Sequence, residues 1–252
     1  MRDEYRLQDQ VAIVTGAGRG IGISIAQELG QAGATVVVAD INAELGQEAA
    51  RHLGTASITA VSVPVDVANA ASVKAMVETV TGRFGRIDIL VNNAGICPYT
   101  PFAEIKEAEW DQVLDINLKG IFLCSQSVLP AMKAQRRGKI VNVGSMAART
   151  GGRVAPVHYT SSKAGVMGIT RSMAMHLGQH GINVNAVAPG VIQTEMTATW
   201  SSEARTNAEK QIPLGRLGLP EDVAKVTLFL CSRASDYLTG VVLDVTGGMV
   251  MS

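Results

Sequence analysis

Along the chain, short runs of branched apolar residues alternate with longer stretches whose apolar positions recur every three or four residues. Five runs, at 11–15, 35–39, 87–92, 139–143 and 183–188, are apolar with little interruption, as strands covered on both faces must be. A less regular run at 57–65 and a last one at 241–245 read as two further strands. Between them the helical period occupies 21–31, 43–53, 70–83, 109–134, 158–180 and 221–231, with Pro220 suited to a first helical turn. Strands that alternate with helices are joined by right-handed crossovers, so the pattern predicts an α/β fold: a doubly wound parallel sheet with helices on both faces. No repeat or linker divides residues 1–252, which read as one domain. The segment 191–218 is the exception, with only weak periodicity between a strand and a helix. Excursions of that length are usually lids or substrate loops, although a plain surface insertion would look the same.

Composition agrees with a core built from aliphatic residues. Apolar residues make up 47%, aromatics only 4%, and charged residues 17%. Lys plus Arg and Asp plus Glu balance at 22 each, so no basic field exists for a phosphate backbone and nucleic acid is not an expected partner. Cys97, Cys124 and Cys231 are scattered without CxxC or Cys/His spacing, which points to a reducing compartment and to no metal site. No apolar run is long enough to span a bilayer, and the charged start lacks a signal core, so a soluble cytoplasmic protein is expected.

The run from Thr15 to Gly22, TGAGRGIG, follows the first strand and opens the first helix. Glycines there permit a tight turn, and the helix start offers free N–H groups to a pyrophosphate. Gly16, Arg19 and Ile21 are the expected cofactor contacts. Asp40 ends the second strand, eighteen residues beyond Gly22, where a carboxylate can accept ribose hydroxyls and repel a 2′-phosphate. Its plain alternative is a helix cap, for which Asn42 competes. Arg19 argues for a 2′-phosphate, but an exposed Arg can swing away while a fixed carboxylate cannot, so NAD is favoured over NADP. Asp66 and Val67, after the third strand, are expected near the adenine, or else Asp66 caps a helix.

Tyr159 and Lys163 stand four residues apart in the helical stretch 158–180 and so share a face. Moving a phenol from about pH 10 to 7 needs about 4 kcal/mol. An ammonium ~4 Å away supplies that much at an effective dielectric of about 20. The pair therefore predicts an acid/base tyrosine with a lowered pKa. Asn117 lies inside the apolar stripe of Trp110, Val113, Leu114, Leu118 and Ile121, where an amide must find partners. Ser145 follows the strand 139–143 at the carboxyl edge, where open α/β sheets bind ligands. No Gly-x-Ser-x-Gly elbow surrounds it, so a nucleophilic role is not expected.

Together the glycine turn, the Asn92–Asn93–Ala94–Gly95 run, Asn117, Ser145, the Tyr159/Lys163 pair and Pro189–Gly190 resemble the classical short-chain dehydrogenase/reductase family, over nearly the whole chain. The resemblance implies a Rossmann-type sheet of seven parallel strands, a nicotinamide cofactor, a carbinol or carbonyl substrate and a homotetramer. It implies that Asn117 holds a water against Lys163 in a proton relay, with Ser145 orienting the substrate oxygen. Lys163 would hold the nicotinamide ribose, and Asn93, Gly95, Pro189, Gly190, Ile192 and Thr194 would complete the cofactor site. Thirteen residues separate Ser145 from Tyr159, one more than in many members. Around the substrate, Cys97, Tyr99, Met146, Met196 and Trp200 are expected as walls; the loop residues Arg149 and Arg153 read as facing water rather than an anionic group, and His158, about 100° around the helix from Tyr159, is not favoured as a second acid/base. The expected activity is NAD-dependent hydride transfer between the cofactor and a secondary alcohol or its ketone, with a cyclic or polyhydroxylated alcohol as the favoured substrate. The alternatives are an NADP-dependent ketone or 3-oxoacyl thioester reductase, a non-catalytic dinucleotide sensor and, weaker, a methyltransferase.

Overall fold

The computed structural model describes residues 3–152, 155–198 and 200–251. Seven strands, β1 (Val11–Thr15), β2 (Thr35–Asp40), β3 (Ala60–Pro64), β4 (Ile89–Asn92), β5 (Gly138–Val143), β6 (Ile182–Pro189) and β7 (Val242–Val245), form one parallel sheet in the order β3-β2-β1-β4-β5-β6-β7. The helices are α1 (Gly20–Gln31), α2 (Ala43–Thr55), α3 (Ala70–Phe84), α4 (Glu107–Leu114), α5 (Gly120–Gln135), α6 (Ala147–Thr150), α7 (Val157–Leu177), α8 (Glu195–Ala198), α9 (Ser202–Gln211) and α10 (Pro220–Cys231).

Buried runs in the strands feed two cores. Along β1, Ala12 and Val14 face α1 and α10 through Ile25, Leu29, Val223 and Leu228. Val11 and Ile13 face the opposite way, toward Val73 and Met76 of α3, Val128 and Met132 of α5, and Leu177 of α7. The chain order reverses between β1 and β4, which opens a crevice at the carboxyl ends of the strands.

Three elements differ from the sequence expectation. The single helix expected over 109–134 is two helices joined by a π-helical turn at Asp115–Lys119, where the Gly120 N–H donates five residues back to the Asp115 carbonyl. The apolar stripe runs through it undisturbed, so periodicity gives no sign of the turn. The excursion 191–218 is ordered: α9 is capped by the Ser201 hydroxyl and buries none of its residues, which is why it shows no apolar period. It is tied down by a bridge between Ile192 and Gly218 and by buried Ile212 and Leu217. The third difference is a register of ends: β3 begins at Ala60, not 57, after Ser57 turns with φ 61°.

Candidate active site

At the carboxyl end of β1 the chain turns sharply. Gly16 has φ +62°, and a Cβ on Gly22 would stand 2.2 Å from the Gly16 carbonyl oxygen, so only glycine permits this approach. Asn93 locks the turn from β4, donating through Nδ2 to the carbonyls of Thr15 (2.9 Å) and Gly16 (3.0 Å). The Thr15 hydroxyl in turn accepts from the N–H groups of Asn93 and Ala94. Asn93 thus shapes the turn by its side chain. α1 starts at Gly20 with Arg19 as its cap residue and no side chain bonded to its first N–H groups. That leaves oriented donors at the positive end of a twelve-residue helix. A dinucleotide pyrophosphate fits this cradle.

Asp40 stands beside it. Its Oδ2 accepts from the Gly18 N–H and its Oδ1 from the Asn42 N–H, both at 2.9 Å. The helix cap itself is Asn42, whose Oδ1 accepts from Glu44 and Leu45. Asp40 is therefore fixed at the glycine turn, as a ribose ligand must be. Arg19 does not reach toward it: Nη1 pairs with Glu195 Oε2 of α8 at 2.8 Å, both side chains being two-thirds exposed. Asp66 accepts from the Ala68 N–H at 2.9 Å in the turn before α3, whose cap is Asn69 and not Asp66, and Val67 packs on Gly120. Across the crevice, Pro189 ends β6, Gly190 lies against the Thr246 backbone, and Ile192 is buried. Thr194 approaches the turn, its Cγ2 being 3.9 Å from the Cβ position of Gly20, so the excursion 191–218 forms a strap that faces the turn.

The chemical groups gather at the ends of β4 and β5 and on α7. Ser145, whose Oγ accepts from the Ala147 N–H at 3.1 Å, stands near enough to the Tyr159 phenol to favour its charged form. Lys163 is 4% exposed and donates through Nζ to the Val143 carbonyl at 2.8 Å. Its Nζ lies 5.7 Å from the centre of the Tyr159 ring. Against the expected lowering of the phenol pKa, burial pushes Tyr159 up to about 12, with Ser145 opposing. Desolvation outweighs an ammonium that is turned toward Val143. Burial likewise lowers Lys163, to about 8.

Asn117 is fully buried in the π-helical turn, close to Lys163: a Cβ on Gly95 would be 3.1 Å from its Oδ1 and 3.5 Å from Lys163 Nζ. Its amide is occupied, however. Oδ1 accepts from the Ile96 N–H, and Nδ2 donates to the Ile96 carbonyl and to Ser162 Oγ. The side chain thus pins the 95–97 loop to α7. Ser162 completes the link by donating to the Tyr159 carbonyl at 2.7 Å. Nothing in its type distinguished it from the other hydroxyls of the YTSSK run.

A cleft of about 550 Å³ adjoins this cluster, lined by Tyr99, Pro101, Phe102, Pro156, Val157 and Thr160 among others. Cys97 is half-buried beside Lys163, and burial pushes its thiol up to about 11. Arg149 is unavailable to an anionic substrate: Nε pairs with Asp244 Oδ1 at 2.8 Å and Nη2 reaches the Val242 carbonyl. His158 is buried with both ring nitrogens engaged, Nε2 by Glu109 and Nδ1 by the Tyr159 N–H, so it is no second acid/base in this arrangement. Arg153 lies outside the described residues, as does the side chain of Met196.

A family model described as enoyl-(acyl carrier protein) reductase matches residues 16–250. Among curated proteins, the 3-oxoacyl-[acyl-carrier-protein] reductases FabG of Thermotoga maritima and Aquifex aeolicus are similar, at 43% and 42% identity. Each match covers 98% of this chain and 100% or 99% of the relative respectively. A short-chain type dehydrogenase/reductase from Mycobacterium marinum superposes with a TM-score of 0.94 at 34% identity, covering 99% of both chains. The protein gox2181 superposes with a TM-score of 0.94 at 37% identity, covering 98% of this chain and 97% of its own.

Proposed function

The chain belongs to the short-chain dehydrogenase/reductase family, an oxidoreductase of CH–OH and carbonyl groups with a nicotinamide cofactor, and from that premise we propose that it reduces the ketone of a 3-oxoacyl thioester with NADH. The observation that carries the reaction type is the buried Lys163 held at the end of β5, 5.7 Å from the Tyr159 ring centre, with Ser145 following the same strand. The names of the full-length relatives support the thioester over the free secondary alcohol expected first, and the apolar walls of the cleft suit an acyl chain.

When bound, the dinucleotide supplies the hydride. The opening N–H groups of α1, with Gly16, Arg19 and Ile21 around them, would hold its phosphates, and Asp40 its adenosine ribose. Val67 would flank the adenine, while Pro189, Gly190, Ile192 and Thr194 would orient the nicotinamide end. The choice of NADH rests on Asp40, anchored at the turn where a 2′-phosphate would meet its charge.

Tyr159, held as a neutral phenol by its burial, gives its proton to the carbonyl oxygen as that oxygen gains charge. Ser145 donates to the same oxygen and orients it. The phenolate left behind is attracted by the Lys163 ammonium, which the Val143 carbonyl holds near the ring. At 5.7 Å from the ring centre and an effective dielectric near 20, that attraction is worth about 3 kcal/mol. Asn117 and Ser162 hold the Tyr159 backbone and the 95–97 loop in register. Three unpaired thiols support a reducing, cytoplasmic location, and exposed Tyr237 and Met251 near the C-terminus support self-association into the family's tetramer.

The test is oxidation of NADH and of NADPH with acetoacetyl-CoA, set against NAD⁺ reduction with cyclic alcohols and polyols. NADH turnover with the thioester at least about tenfold above every other pairing, which is ~1.4 kcal/mol of discrimination, is the expected result. Turnover confined to the alcohols overturns the substrate, and a preference for NADPH overturns the cofactor. Tyr159→Phe should retain NADH binding and lose about 10²–10⁴ in kcat.

A further inference from the structure

His158 is fully buried, and a buried imidazole needs a partner for each ring nitrogen. The Tyr159 N–H donates to His158 Nδ1 at 2.8 Å. Nδ1 is therefore the unprotonated nitrogen, and Nε2 carries the hydrogen that reaches Glu109 Oε1 at 2.8 Å. The other Glu109 oxygen, Oε2, accepts from the Thr100 hydroxyl at 3.0 Å. The bonds from His158 and then Thr100 hold Glu109 below the usual carboxylate range, so it stays an acceptor for both.

This chain of contacts solves a local problem of α7. The first N–H groups of a helix have no partner inside it, and Pro156, which occupies the cap position, has no side-chain acceptor. His158 supplies the acceptor from within the first turn, at the residue that carries the phenol. Glu109, on α4, sets the imidazole's orientation. Thr100 belongs to the wall of the cleft, beside Tyr99, Pro101 and Phe102. One network thus runs from the cleft wall through α4 to the backbone of Tyr159.

The geometry points to His158 and Glu109 as positioning residues for Tyr159, which through Thr100 also fix the substrate wall relative to the phenol. The inference rests on the reading of Tyr159 as the proton donor, and isosteric substitution separates the two. In His158→Asn the amide oxygen can take the place of Nδ1 and accept from Tyr159, whereas His158→Phe fills the volume without an acceptor. His158→Phe should lose ~10–100-fold in kcat with NADH affinity, read by fluorescence titration, held within about twofold. His158→Asn should recover most of that loss. Glu109→Leu, at a partly exposed position, should lower kcat in the same direction, and Glu109→Gln, which still accepts from Nε2–H, should stay within about threefold of wild type. Thr100→Val should raise KM for the carbonyl substrate several-fold and leave kcat within about twofold. His158→Phe equal to wild type, or His158→Phe and His158→Asn equally impaired, overturns the positioning role, provided Tyr159→Phe is dead. An active Tyr159→Phe defeats the underlying reading instead.

Discussion

Replacing Lys163 with Met keeps the side chain's length and removes its charge. Because Lys163 is 4% exposed, burial lowers its ammonium from 10.5 to about 8. At ~1.4 kcal/mol per unit this difference is a folding penalty of about 3 kcal/mol. The sign follows from the direction. Below about pH 8 both the folded and the unfolded chain carry the charge, so the full penalty applies. As pH rises from about 8 toward 10.5 the folded chain sheds its proton first, and wild-type stability increases. The variant has no such group. The bond to the Val143 carbonyl, at 2.8 Å, returns ~1–2 kcal/mol to wild type, leaving Lys163→Met more stable by about 1–2 kcal/mol at pH ~7. Between about pH 7 and 9.5 that advantage should shrink by ~2 kcal/mol. Urea unfolding followed by Trp110 and Trp200 fluorescence reads the difference; stopping below pH ~10 keeps the Tyr159 phenol protonated in both states. Turnover should vanish throughout. A variant less stable than wild type at neutral pH, or a gap that does not narrow with pH, would refute the assignment of Lys163 as a buried charge kept at a cost in stability.

Two further outcomes follow from close contacts and buried charge. Gly22→Ala places a Cβ 2.2 Å from the Gly16 oxygen and 2.9 Å from the Ala17 Cα, both backbone atoms that cannot give way. It should destabilise by ~1–3 kcal/mol and abolish NADH binding, checked by thermal unfolding and fluorescence titration. Arg149→Met breaks the pair with Asp244, whose side chains are 22% and 11% exposed, and should destabilise by ~2 kcal/mol at unchanged KM. A raised KM with intact stability would return Arg149 to the substrate site.

The strands were legible because a parallel sheet buries both faces, so Val36 to Ala39 or Ile140 and Val141 appear as unbroken apolar runs. The glycine turn was legible for a geometric reason: only glycine tolerates the contact at Gly22. What stayed hidden was carried by partners rather than by residue type. Asn117 looked the same whether its amide held a water or the Ile96 backbone, and only the fold shows that Ile96 takes it. Glu109 lies forty-nine residues from His158, with no pattern joining them. The direction of the Tyr159 shift was misread because a four-residue spacing gives proximity to Lys163 but not the depth of burial, and depth prevailed. α9 escaped notice for the converse reason, having no buried face to impose a period.

The contact between Arg19 and Glu195 has a consequence that varies with ionic strength. Two side chains two-thirds in water hold each other by at most about 1 kcal/mol, and at ~0.15 M salt their attraction barely extends beyond contact. The strap is anchored more firmly, by the Ile192–Gly218 bridge and by the buried Ile212 and Leu217. Its free edge over the glycine turn is therefore latched by an amount comparable to thermal energy. Parting that edge costs little, salt lowers the cost further, and the sheet that positions Tyr159 need not loosen for it.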